Sequence, residues 1–193
     1  MSRRSPLVLG VAVLVVVLAV AAGGQVVAAQ LSAGPDQPVG FTHLTHAGTL
    51  QMDCTFCHRN VDKGSNASVP AVQQCMFCHS VVTEGTRDPT VQNVEIAKVR
   101  EAYAGGHPID WIRVHRLPDH VRFIHEAHVR ALGPAPQSCT VCHGDISKTK
   151  KVEQVQSLKM GDCVSCHRGD REVLIGGAMK RFNAPTDCTT CHK

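Results

Sequence analysis

Five copies of one five-residue pattern absorb all ten cysteines of the chain and leave little freedom in what it can fold into. They read Cys54-Thr-Phe-Cys57-His58, Cys75-Met-Phe-Cys78-His79, Cys139-Thr-Val-Cys142-His143, Cys163-Val-Ser-Cys166-His167 and Cys188-Thr-Thr-Cys191-His192. Ten cysteines in an exported chain could form five disulfides, two pairs could hold zinc, and a lone pair could be a redox couple. None of these chemistries asks for a histidine directly after the second cysteine every time. Covalent attachment of c-type haem does: both thiols bond to the porphyrin edge, and the adjacent imidazole reaches the iron from the proximal side. The pattern therefore predicts five covalent haems, with His58, His79, His143, His167 and His192 as proximal ligands.

Composition points to the same architecture. Aromatic residues make up only 4% of the chain. Once a hydrophobic N-terminus is set aside, roughly 160 residues serve five haems, about 30 each, too few to build an apolar core of their own. The expected fold is thus a multihaem cytochrome c, loop-rich with short α-helices wrapped around five haems. The 16 glycines and 10 prolines fit such a wrapper. The net charge of +4 omits two propionates per haem, so it gives no reason to invoke nucleic acid.

At the N-terminus, Arg3 and Arg4 precede an apolar run from Leu7 to Ala22, then Gly23, Gly24, Gln25 and further apolar residues to Ala29. The small residues near Ala28 and Ala29 suit a cleaved leader. The extension to about 24 mostly apolar residues suits a spanning helix, and residues 1–30 are expected to be a cytoplasmic stub and transmembrane anchor. Residues beyond about Gln30 would then lie outside the cytoplasm, where haem attachment takes place.

A repeat organises the remainder. Phe41-Thr-His43-Leu-Thr-His46 precedes the first pair of motifs, and Phe123-Ile-His125-Glu-Ala-His128 precedes the other three. Histidines at i and i+3 share one face of a helical turn, so two imidazoles can serve two haems. The expected domains are a two-haem module over 31–80, a linker over 81–117 and a three-haem module over 118–193. Within the linker, Val91–Ala104 has helical periodicity and stops at Gly105-Gly106. His107 reads as a surface loop residue and Trp111 as a packing or interface residue.

The Phe-x-His-x-x-His opening followed by closely spaced motifs resembles the small class III multihaem cytochromes. The stretch from Trp111-Ile-Arg-Val-His115-Arg-Leu-Pro118-Asp-His120-Val-Arg-Phe123 through the fourth motif, with Met160 just ahead of Cys163, resembles more narrowly the pentahaem cytochrome subunits of alternative complex III, a bacterial quinol oxidoreductase. The first resemblance implies distal ligands. His43 would serve the haem at Cys54 and Cys57, and His125 the haem at Cys139 and Cys142. His46 would serve the haem at Cys75 and Cys78, and His128 the haem at Cys163 and Cys166. Three-haem relatives place the remaining ligand just ahead of the middle haem's first cysteine, where this chain has Met160. A thioether there would raise that haem's potential. His115 and His120 are the alternatives.

Irons with two protein ligands have no open position and can only exchange electrons. The resemblance to the alternative complex III subunits implies an electron-transfer subunit without a catalytic site of its own, working with integral-membrane and peripheral subunits. Its acceptor would be a small periplasmic cytochrome or copper protein, and its location the outer face of the inner membrane. A stand-alone membrane-anchored quinol dehydrogenase and a tethered periplasmic electron carrier are the competing readings.

Overall fold

The computed structural model describes residues 12–20, 34–84 and 93–193. The chain divides into two units, Met1–Gly34 and Pro35–Lys193. In the first, residues 12–20 are helical with exposed side chains. Among the described residues no helix is long and apolar enough to cross a membrane. The rest of the expected anchor, 1–11 and 21–30, lies outside the described residues.

All five attachment motifs are helical in the second unit. The short α1 (Cys54–Cys57), α2 (Val72–His79), α5 (Gln137–His143), α6 (Met160–His167) and α7 (Cys188–Cys191) each carry one motif. A cysteine pair at i and i+3 needs one helical turn to place both thiols on one side. Local polar residues start these turns. The Asp53 carboxylate accepts a hydrogen bond from Thr55 N–H at 2.7 Å, and Asp162 accepts from Lys159 N–H at 3.0 Å. Such caps satisfy amides that have no partner in the first turn.

The helix expected over Val91–Ala104 is α3, Val94–Ala104, capped by Asn93, whose side chain accepts from Glu95 N–H at 2.9 Å and Ile96 N–H at 3.4 Å. Residues 91–92 lie outside the described residues. This helix does more than link: it packs on α2, and Val99 and Ala102 are buried with Val39 and Val72. Trp111 packs against that cluster, edge-on to Phe41 at 6.4 Å.

A second cluster forms around a hairpin that the sequence reading did not anticipate. Strands β1 (Val173–Ile175) and β2 (Ala178–Lys180) pair antiparallel. Gly176 (φ 59°) and Gly177 (φ 81°) form the tight turn, in a backbone conformation that favours glycine. Val173 and Ile175 face inward against Leu132, at the end of α4 (His125–Leu132), and against Val141, Cys166 and Phe182. The Ile175-Gly-Gly-Ala178 string was the available signal.

The two Phe-x-His-x-x-His elements repeat in detail. Phe41 stands edge-on to His43 at 4.9 Å and stacks on His46 at 4.5 Å. Phe123 stands edge-on to His125 at 4.9 Å and stacks on His128 at 4.3 Å. The modules also clasp one another reciprocally. Leu44 N–H, in the π-helical turn Leu44–Thr49, donates to the Thr149 carbonyl at 2.9 Å, and Glu126 N–H donates to the Gly64 carbonyl at 3.0 Å. Leu44 and Glu126 occupy equivalent places in the repeat, and each acceptor stands six residues past the histidine of the other module's first motif.

Candidate functional site

The described residues bury only eight apolar side chains, chiefly valines, and none of the large ones completely. Such a core is small for the length of chain it has to order. A group carried on the five cysteine pairs would cover more apolar surface. None of the ten cysteines is in a disulfide.

The histidines are arranged accordingly. His58 Nδ1–H donates to the Ser68 carbonyl at 2.6 Å, His79 to Val82 at 3.0 Å and His167 to Pro185 at 2.7 Å. On the other side His46 donates to Thr42 at 2.9 Å, His125 to Ser65 at 2.7 Å and His128 to Ile124 at 2.8 Å. In each ring Nδ1 is occupied and Nε2 remains for a metal, the arrangement that fixes tautomer and orientation of a ligating imidazole.

The rings also stand in pairs at a ligating separation. With a metal–nitrogen bond of about 2 Å and about 1 Å more from nitrogen to ring centre, two imidazoles on opposite sides of one iron have centroids roughly 6 Å apart. His46 and His79 are separated by 6.2 Å, His128 and His167 by 6.0 Å, and His125 and His143 by 6.5 Å with rings 6° from parallel. His43 is half-buried beside His58: burial, then the charges of His58 and His46, bring it down to about 4. His143 is likewise held at about 4, by burial and then by His115, His125 and His58. Both are therefore kept neutral, the form that binds iron.

At the fifth motif the ring neighbour is again a histidine. Met160 opens α6 with 69% of its surface exposed. The ring near His192 is that of His120, parallel within 15° at a centroid distance of 5.4 Å. A bridge between Val121 and His192 and the bond from Lys193 N–H to the His120 carbonyl at 3.1 Å bring the two segments together. Of the two candidates, His120 is the one whose ring stands beside His192. The repeat held a signal for this: His120 lies three residues before Phe123, while Pro38 holds the equivalent place before Phe41, in the module with no third motif. His107 is exposed on its loop, its Nδ1–H bonded to the Pro108 carbonyl at 3.1 Å.

The cysteines also show which sites adjoin. Burial and then the neighbouring Cys75 push the Cys57 thiol up. Burial and then Cys139 do so for Cys54, burial and then Cys166 for Cys142, and burial and then Cys191 for Cys163. Thiols of the first and second, first and third, third and fourth, and fourth and fifth motifs are thus close enough to feel one another's charge, and the reciprocal clasp joins the segments around the first and third.

Helical cysteine pairs, histidines with free Nε2 atoms and a loop-rich wrapper define a multihaem c-type cytochrome. Two family models match successive parts of the chain: the class III cytochrome C family over residues 22–107, and cytochrome c7 and related cytochrome c over residues 121–193. Over 176 residues the chain is 29% identical to the menaquinone reductase multiheme cytochrome c subunit of Nitratidesulfovibrio vulgaris, covering 82% of this chain and 77% of that protein.

Proposed function

We propose that the chain carries five c-type haems, each between two imidazoles, and is the electron-transfer subunit of a membrane quinol oxidoreductase of the alternative complex III type. The observation that carries this is the pairing of histidines: four motif histidines have a second imidazole ring beside them, and His43 is near enough to His58 to feel its charge, so in this reading no iron is left with a position for substrate. The distal set in this reading is His43, His46, His125, His128 and His120. Bound haem supplies reversible one-electron chemistry. The chain's own residues attach it, hold the imidazoles neutral and oriented, and keep the sites adjacent.

In this reading the apolar N-terminal segment anchors the chain in the inner membrane, with the haem-carrying part on the periplasmic side. Its partners are integral-membrane and peripheral subunits that oxidise quinol, and a small periplasmic cytochrome or copper protein that accepts the electrons. A second reading, favoured by the name of the relative, has electrons flow inward to reduce menaquinone. The wrapper is compatible with either direction, because nothing in an imidazole pair makes electron exchange one-way.

The test is purification of the tagged full chain from detergent-solubilised native membranes. Integral-membrane subunits should accompany it, and the preparation should oxidise a quinol with reduction of a soluble cytochrome. Recovery of the chain alone, from membranes washed without detergent, overturns the subunit and the anchor. Quinone reduction without quinol oxidation replaces the first direction by the second.

A further inference from the structure

His115 has no part in the five pairs, yet it touches one of them. Its Nε2 lies 3.2 Å from His143 Nδ1, the rings edge-on at 80° with centroids 4.3 Å apart. His58, His79 and His167 all give their Nδ1–H to a backbone carbonyl. His143 alone of the motif histidines gives it to a side chain, brought from the Trp111–Pro118 stretch. That segment is held in part by Arg113, whose Nε–H donates to the His115 carbonyl at 3.1 Å.

We propose that His115 is a positioning residue for the third haem site, accepting the Nδ1–H hydrogen bond of His143 and setting the donor strength of that ligand. This rests on the reading of Cys139-Thr-Val-Cys142-His143 as a haem site. A neutral His143 that offers its Nε2 lone pair to iron carries its proton on Nδ1, and is therefore the donor. His115 Nε2 is then the acceptor, and the proton of His115 sits on its own Nδ1. His115 is not itself the ligand opposite His143: it meets Nδ1 rather than Nε2, and His125 already lies parallel to His143 at 6.5 Å. An acceptor on the outer nitrogen makes the imidazole a stronger donor and favours ferric iron. Losing it should favour ferrous iron and raise one potential. The acceptors of His58, His79 and His167 belong to the backbone, so of these four sites the third is the one whose outer hydrogen bond a side-chain substitution can alter directly.

The test uses the haem-loaded full chain, with His115→Phe to remove the acceptor and His115→Gln to restore one through its amide oxygen. Potentiometric titration should show one of five components raised by about 59 mV in His115→Phe, a tenfold change in the ferric-to-ferrous preference. That component should return most of the way in His115→Gln, and all haems should remain low-spin by electron paramagnetic resonance. Unmoved potentials overturn the proposal, as do equal shifts in both variants, which would mean packing alone. Loss of one low-spin signal also overturns it, because His115 would then be a ligand. Should His115→Phe fail to load haem, His115→Leu reads the same loss with a smaller side chain. A wild-type chain that carries no haem on Cys139 and Cys142 refutes the haem reading itself, and pyridine haemochrome analysis separates that result from the others.

Discussion

The clasp between the modules is crowded at one glycine, and that crowding sets a measurable cost. A methyl group added at Gly48 would fall well inside contact distance of the Ser147 carbonyl oxygen, with Leu44 Cδ1 at 3.3 Å on its other side. To restore an ordinary C···O separation of about 3.3 Å, the π-helical turn and the turn at Ile146–Lys148 have to part by about 1 Å. Overpacking of this kind costs about 1–3 kcal/mol. The strained Leu44-to-Thr149 hydrogen bond adds about 1 kcal/mol, while replacing a helical glycine by alanine returns about 1 kcal/mol. Gly48→Ala should therefore destabilise by about 1–3 kcal/mol, a fall of about 2–12 °C in Tm at this chain length. The assay is thermal unfolding of the haem-loaded protein followed by Soret circular dichroism. Gly64, on the opposite half of the clasp, has open space at its Cβ position, so Gly64→Ala is the control and should leave Tm nearly unchanged. A Gly48→Ala protein as stable as wild type, or more so, would refute the close approach of the two modules.

Pyridine haemochrome analysis of the denatured mature chain should return five haems per polypeptide, and four or fewer would contradict the motif reading. His120→Phe should convert one haem to high-spin, seen by electron paramagnetic resonance, while Met160→Leu leaves all five low-spin; the opposite result restores Met160 as the fifth distal ligand. Ile175→Ala should cost about 2–4 kcal/mol in denaturant melts, because Ile175 is 5% exposed on the inner face of its hairpin. Leu174→Ala, 62% exposed on the outer face, should stay within about 0.5 kcal/mol. The Glu95 carboxyl is held below its ordinary value of 4.5 by Gly40 N–H, which it accepts at 2.6 Å, and then by Lys98. A depressed carboxylate stabilises above its unfolded pKa and loses that contribution as pH falls through the folded value. Glu95→Gln should thus cost under about 1 kcal/mol at neutral pH, given its exposure, and the difference should vanish in acid melts; a cost that persists at low pH would show the charge to be irrelevant.

The sequence by itself determined the chemistry of attachment. Cys-x-x-Cys-His is a local device, complete within five residues, and each cysteine pair folds within a helical turn wherever it stands, so the pattern is legible without the fold. The Phe-x-His-x-x-His elements were equally legible because an i, i+3 pair is also local, and the structure repeats their ring geometry in both modules. The partner of His192 was a different matter. Met160 and His120 are each near enough in sequence to be candidates, and the choice turns on the pairing of Val121 with His192, across 71 residues of chain. The closeness of the first and third motifs was equally hidden: the first helical turn of each repeat donates a backbone hydrogen bond to the segment after the other's first motif, and no motif records a bond between backbone groups. Helix α3 shows the same limit. Its span was visible in the periodicity, but its place against α2, which makes the supposed linker part of a core, depends on which apolar face meets which. Covalent chemistry is written in adjacent residues; the company each histidine keeps is decided by long-range packing.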